Sequence, residues 1–490
     1  MKKPNNHLRD YFVALAVALV FATSYATLSI RKYAAHQTRG DLTAYAQGLW
    51  NTLHGDFMAS TFNYSVHNFW DGHFREITPQ NSNIFGIHFN PIILSFVPFY
   101  ALYPNPETLL VLQALVLSLS SVVIFAVARS HLGSKLLAYV IQLSYLLNLT
   151  LISATLSEFH AYPLTVLFSS LLIWFSARKS NMAYYLSLTF LLLVQENAGI
   201  PAFFFGLYLL VFSNTRLRGL ITMVAGIGYL LLSTKLIIPL FSPTGAYLFE
   251  TAYGSPLGGS YLEMVKNTIT HPQLFLSTIA STPNISYIGK IIIPTLPLTL
   301  FAPWALLTSI FTLAPNLISS ASILKSLSMH YEAVITPYLY YALILGVLFA
   351  LKHLKIKKNL LIISLSLVIT LATMVQYKLY TSLRFSPTCV WSCRFYTPLD
   401  AEKDQVISVV PANASVSTQD YFSGHFSGRA GLYLFPVYYD RADYVVISKG
   451  EESWPLSLVD HESYLTKLQN SQNHSAVLQT EHFMVFKKNP

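Results

Sequence analysis

Long apolar runs recur along almost the whole chain, and about 20 mostly apolar residues in a row are what a bilayer-spanning helix requires. The first run covers 11–30. Others lie at roughly 107–128, 136–153, 161–177, 182–195, 199–213, 219–240, 286–301, 304–320, 332–351 and 359–380, about eleven in all. Those at 182–195, 199–213, 286–301 and 304–320 are short, and a polar or Pro break divides each pair. Of 490 residues 53% are hydrophobic and 11% charged, where an ordinary soluble domain carries about 25% charged residues. A water-soluble enzyme of this whole length is excluded, and the fold class expected is a polytopic α-helical membrane protein. The first run follows Lys2, Lys3 and Arg9 in the manner of a signal peptide, yet it is too long and lacks a convincing cleavage site. It reads as a retained anchor.

Charge is unevenly spread. Residues 381–490 hold 20 of the 53 charged side chains, which divides the chain into a transmembrane body, 1–380, and a water-exposed domain, 381–490. In the latter, short strand-like runs at 405–410, 432–436, 444–448, 476–479 and 482–487 and a helical pattern at 458–468 predict a small α/β domain. Orientation follows from Lys and Arg in short loops. With the N-terminus cytoplasmic, the inner side receives 13 bases and one acid, Asp10. That +12 leaves −3 elsewhere, so the formal charge of +9 records topology and is no evidence for a nucleic-acid partner. Eleven spans place the C-terminal domain outside.

The outer side then carries the acidic chemistry. A first outer loop, 31–88, contains Asp41, Asp56, Asp71, Glu76 and five His residues. Within it, Leu42, Tyr45, Leu49 and Leu53 have helical spacing, which predicts an amphipathic helix in the membrane interface. The apolar stretch 91–103 is too short to span and is expected to re-enter or lie flat. A second outer loop, 241–285, rich in Gly, Ser, Tyr and Pro, is a candidate lid. Glu158 and His160, Glu196, and His330 and Glu332 fall at other outer turns, alongside His88 at the end of the first loop. Ionisable groups at membrane depth are costly and commonly functional, although any single acid or His at a helix end more often caps or is solvated. Asp41, Glu158 and His160 are candidate ligands for a metal. Arg31, Lys32 and Arg39 run against the positive-inside bias, and Arg39, like Lys290 near another outer end, is a candidate for holding a phosphate. Cys389 and Cys393 could close a small disulfide loop, but two thiols define no zinc site. No Walker, G-x-G-x-x-G, HExxH or G-x-S-x-G pattern occurs.

Several segments together carry a family resemblance: GDLTAYAQGLWNTLHG after the first run, FGIHFNPIILSFVPFYALYPNPETLLVLQ, SEFHAYP, QENAG, HYEAVITPYLYYA, and in the tail VVPANASVSTQDYFSGHFSGRAGLYLFP followed by ADYVVIS. Over nearly its full length the chain resembles the membrane proteins grouped as domain of unknown function 2079, which are placed with the GT-C superfamily of membrane glycosyltransferases. The resemblance implies a GT-C-like transmembrane domain in a prokaryotic-type plasma membrane, and transfer of a sugar from a polyprenyl-phosphate donor to a glycan, lipid or protein acceptor at the outer face. It matches Asp41 to an acid after the first span that acts as base or helps hold a divalent cation such as Mg or Mn. Glu158 and Glu196 would support it, with Arg39, His88, His160, Lys290, His330 and Glu332 binding substrate. The family commonly reads Asp-Leu-Gly and Lys-Glu where this chain has Asp-Leu-Thr and Gln195-Glu196. Two other classes remain: a transporter or flippase for a lipid-linked glycan, which would want broken, charged helices at the midplane, and a non-catalytic scaffold whose tail binds a partner.

Overall fold

The computed structural model describes residues 5–63, 83–178, 180–250, 254–381, 396–450 and 453–490. Cys389 and Cys393, with Asp71, Glu76 and His residues 67 and 73, lie outside them. Most of the chain is helical. Among the described residues five helices are long and apolar enough to cross a membrane: Leu8–Ala34, Pro106–Leu132, Arg216–Phe241, Ala333–His353 and Lys358–Leu379. A sixth candidate is Lys135–Leu146 continued by Leu149–Ser157, bent by 41°. The bend has a local cause, because Asn148 leaves the helix and accepts the Thr150 N–H, starting a second helix with its own cap. Shorter apolar helices are Pro91–Leu102, Tyr162–Ser176, Asn181–Val194 and Glu196–Phe212.

Two expected spans are not continuous helices. Over 286–301 and 304–320 the chain forms Thr282–Ile292, Pro303–Phe311 and Ala314–Ile318 with 3-10 turns between. Pro294, Pro297, Pro303 and Pro315 interrupt the pattern, each removing an N–H donor. Apolar composition alone gave no sign of this, since the segment packs into its own core around Tyr287, Ile291, Leu306 and Leu317.

Helix pairing in the body relies on small residues and on interior hydrogen bonds, as expected where lipid removes the hydrophobic drive between helices. Ser144 bonds both Tyr340 and Thr373, and Tyr338 donates to Ser169. Gly199–Phe212 and Arg216–Leu232 cross at two glycine pairs. A methyl on Gly206 would stand 2.5 Å from Met223 N, and one on Gly226 would stand 2.5 Å from the Gly199 carbonyl.

The C-terminal domain is built on β1 (Val416–Thr418), β2 (Leu432–Leu434), β3 (Tyr444–Ser448), β4 (His474–Gln479) and β5 (Phe483–Lys488), ordered β2-β1-β3-β5-β4. β1 is parallel to β2 and β3, and β5 is antiparallel to β3 and β4. The strand expected at 405–410 is instead part of the helix Pro398–Ser408. Thr397 and Asp400 form a capping box ahead of it and Pro398 sits at its first turn, so start signals outweigh the β-branched residues. The three-residue β1 was too short for its alternation to be seen.

The helix Gly40–Leu53 departs most from expectation. Its apolar face packs on Pro106–Leu132 and Val97–Leu102, while its polar face meets Asp420–Ser423 and Gly424–Phe426 of the C-terminal domain. Thr43 bonds Ser423 at 2.6 Å, and the Gln47 amide donates to the carbonyls of Arg429 and Ala430. Both faces are covered by protein, so this helix is a wedge between the two parts of the molecule and does not rest on lipid. Phe62, just beyond it, is buried in the core of the C-terminal domain.

The glycine crossing gives a direct test. Gly206→Val must displace backbone and should cost about 2–3 kcal/mol, lowering the thermal midpoint in detergent. Gly228→Val, on the same helix pair but facing open space, should leave the midpoint within experimental error.

Candidate functional site

The turn 158–160 follows the second half of the bent helix, and neighbouring elements hold it tightly. Gln113, a polar residue inside the apolar helix Pro106–Leu132, donates to the carbonyls of Ala154 and Glu158 and accepts from His160 N at 2.9 Å. Ser29 and Lys32 of the first helix bond the Thr155 and Leu156 carbonyls. Lys32, an apparent violation of charge bias, thus closes a helix C-terminus, where a cation is favoured.

From this turn Glu158 reaches the start of Gly40–Leu53. Arg39 occupies the N-cap position there without capping through its side chain. The Glu158 carboxylate accepts the Arg39 N–H at 2.7 Å instead, placing a negative charge at the positive end of the helix. Asp41 lies in the first turn of the same helix, and its Oδ2 is 3.0 Å from His160 Nε2. His160 also lies 3.8 Å from Glu158, and its ring stacks on His330 with centroids 3.6 Å apart. Asp41, Glu158, His160 and His330, which are spread over 290 residues of sequence, are therefore one cluster. Glu158, His160 and His330 are buried, whereas the Asp41 side chain is 60% exposed.

These contacts set the charges. Surrounding protein is the largest influence on Asp41 and opposes its ionisation, but the hydrogen bond and charge of His160, with His88 behind, hold its carboxyl below the ordinary value. Burial likewise opposes the charge on His160, and the bond to Asp41 with the charges of Asp41 and Glu158 raises it nonetheless. Burial pushes Glu158 up to about 7, with the Asp41 charge adding to it. His330 is held neutral, well below its usual range, by burial and by the charge of His160. Each of Asp41 and His160 thus favours the charged form of the other, beside a Glu158 carboxyl that burial pushes up.

A second cluster lies across the same surface. Glu196 is fully buried and saturated: His88 Nδ1 at 2.7 Å, Phe89 N at 3.0 Å and the Tyr247 hydroxyl at 2.9 Å all meet its carboxylate. It ties the end of the segment 31–88 to the segment 241–250, so that the segment expected as a lid is anchored through Tyr247 and folds over His88, whose ring stacks on Phe249. Both Asp41 and Glu196 act electrostatically on the Tyr45 hydroxyl, which receives a bond from Asn90. Between the lid and His330 is a cavity of about 120 Å³.

Other candidates have structural settings. Arg39 is half exposed with its guanidinium 3.8 Å from Asp420. Lys290 is exposed, and its carbonyl accepts from Gln376, which also receives the Leu149 N–H. It therefore lies by the far end of the helix Leu149–Ser157 from Glu158, about 13 Å along the axis, and the structure does not bring it into the cluster. Glu332 is buried beside Tyr287, with one carboxyl oxygen lacking a hydrogen-bond partner. Gln113, Tyr45 and Tyr247 were not anticipated. Only Gln113 offered a signal, as an amide within an apolar run.

The donor set fits a cation: one ligand atom from each of Asp41, Glu158 and His160 lie within 4.8 Å of one another. Two carboxylates and an imidazole suit Mn²⁺ better than Mg²⁺, which prefers oxygen and keeps its waters.

Burial pushes the Glu332 carboxyl up to about 8, from an ordinary 4.5. Between those values the unfolded chain ionises and the folded protein does not, so this group costs stability as pH rises from 5 towards 8. Relative to Glu332→Gln, the wild type should lose stability over that interval by an amount of the order of 1–4 kcal/mol. Thermal midpoints of the two proteins at pH 5 and pH 8 would show it, and a constant difference between them would contradict it.

A family model described as a predicted membrane protein, DUF2079, matches residues 36–485. No curated protein matches the chain.

Proposed function

The chain belongs to the DUF2079 family of predicted membrane proteins, and we propose that it is a membrane glycosyltransferase of GT-C type, moving a sugar from a polyprenyl-phosphate donor to an acceptor hydroxyl at the outer face of the plasma membrane. The observation that carries this reading is Asp41: a solvent-open carboxylate, kept ionised by a buried His, at one end of a bundle of apolar helices. In this reading about eleven segments cross or enter the bilayer, with the N-terminus cytoplasmic and the C-terminal domain outside. Asp10, held by Lys135 at 2.8 Å and Arg129 at 3.6 Å, marks the opposite, basic end of the bundle.

In the reaction the acceptor oxygen bonds to the anomeric carbon and gives its proton to Asp41. The bond from that carbon to the phosphate oxygen breaks, and its electrons leave with the polyprenyl phosphate. Asp41 suits this step because it alone in the cluster is open to substrate, and its negative charge also stabilises the positive charge that develops on the sugar. His160 orients the carboxylate through its bond to Oδ2. Glu158 holds the helix start that carries Asp41, and Glu196 with His88 and Tyr247 holds the lid. A divalent cation held by Asp41, Glu158 and a neutral His160, in place of the proton that His160 otherwise carries, would supply positive charge to the leaving phosphate, and Arg39 is a half-exposed base at the start of the same helix.

Proteoliposomes given radiolabelled polyprenyl-phosphate sugars and a membrane acceptor test the reading. The wild type should transfer label, EDTA should suppress transfer with Mn²⁺ restoring it, and Asp41→Asn should lower the rate by about 100-fold or more. Equal transfer by wild type and Asp41→Asn would remove Asp41 from the chemistry, and no transfer from any donor would remove the activity.

A further inference from the structure

The cavity under the lid has its own chemistry. Its walls are aromatic, including Tyr162, Tyr247, Phe249 and Tyr261, and its polar groups are the amides of Gln195, Asn197 and Asn316, the hydroxyls of Ser255 and Ser319, and the rings of His330 and of His88, the latter paired with Glu196 at 2.7 Å. Among the described lining residues there is no Lys or Arg. The one carboxylate, Glu250, is taken up by Lys235 at 2.6 Å, so the cavity offers little to a phosphate or a free anion.

Several of these groups lie in the wall with bonding capacity unused. Gln195 and Asn316 are more than nine-tenths buried. Asn316 donates from its amide nitrogen to the Tyr287 hydroxyl, and the Gln195 amide lies 3.2 Å from His88 Nδ1, the atom that also meets Glu196. The buried His330 ring has an unpartnered Nδ1, and the Tyr162 hydroxyl, also in the wall, has no protein partner among the described residues. An unsatisfied buried polar atom such as His330 Nδ1 costs on the order of 1–3 kcal/mol, and a ligand able to both donate and accept would meet it together with the amide and hydroxyl groups of the wall. A volume of about 120 Å³, at about 10–15 Å³ for each water-sized position, takes on the order of ten non-hydrogen atoms. A single ring bearing hydroxyls meets all three conditions, since its C–H faces pack on aromatic walls while its hydroxyls answer amides of both polarities.

We propose that this cavity binds one uncharged sugar ring, with His330 at its inner end adjoining the Asp41–His160 pair. What the ring is used for rests on the transferase reading, in which it is the glycosyl unit of the donor or of the acceptor. The binding itself does not. The cavity selects neutral hexoses or pentoses over uronic acids, amino sugars and sugar phosphates.

The full-length protein in lipid nanodiscs, examined by saturation-transfer NMR against methyl glycosides of neutral hexoses and pentoses, methyl glucuronide and methyl glucosaminide, tests this without turnover. At least one neutral glycoside should receive saturation and the charged ones should not. Tyr162→Phe, which removes only a hydroxyl, should weaken binding at least threefold, and Ser255→Trp, which fills the cavity from the lid, should abolish it while the thermal midpoint is kept. Competition by a polyprenyl-phosphate sugar would assign the cavity to the donor, and additive binding would assign it to the acceptor; either result supports the site. No saturation of any neutral glycoside, preference for a charged one, or indifference to both substitutions would overturn it. Neutral-glycoside binding together with failure of label transfer would leave the site standing and remove the transferase reading.

Discussion

The bond from the Arg39 N–H to the Glu158 carboxylate joins two problems that the fold must solve at once. A helix start packed between the bundle and the C-terminal domain has unpaired donors, and a carboxylate buried in apolar surroundings needs partners to remain there. Each answers the other. Because Glu158 is itself fixed by Gln113 through the carbonyl and N–H groups of its turn, the first turn of Gly40–Leu53 is located by the helix Pro106–Leu132. Asp41 is thus positioned by rigid elements and not by a loop, and His160, two residues beyond Glu158, arrives beside it with no further adjustment.

The same helix couples the membrane body to the C-terminal domain. Thr43 and Gln47, two and six residues beyond Asp41, bond Ser423 and the backbone at 429–430, while Thr61 bonds both the N–H and the carbonyl of Leu432 at the edge of β2. With Phe62 in its core, the C-terminal domain takes part of its packing from the segment that follows Gly40–Leu53. Displacing that domain would therefore strain the segment that carries Asp41, which gives the domain a positioning role in addition to any binding role.

The parts of this fold that could be read from sequence share a physical reason. Long apolar helices, the C-terminal runs at 444–448 and 458–468, and the segregation of bases from acids depend on local composition or on interaction with the solvent, and a single chain displays both. The run 405–410 reads as a strand on its apolar residues, whereas the capping box at Thr397 and Asp400 carries a helix through to Ser408. The segment 286–320 was read as two spans because hydropathy does not register whether the backbone can keep its hydrogen bonds through four prolines. Residues such as Asp41, Glu158, His160 and His330 could be named as candidates because ionisable groups near apolar runs are costly. Which of them meet was not legible, nor was Lys290's place apart from them.

From its residues alone the chain had to be a helical membrane protein with basic and acidic ends and a polar C-terminal domain, since no other arrangement hides so much apolar surface while keeping its charges in water. Only the tertiary structure decided that Asp41 stays open while Glu158, His160 and His330 are buried around it, and that Glu196 is saturated by His88, Phe89 and Tyr247. Those outcomes depend on contacts between elements more than a hundred residues apart, where a hydrogen bond such as that of His160 to Asp41 is set by packing and not by neighbouring sequence.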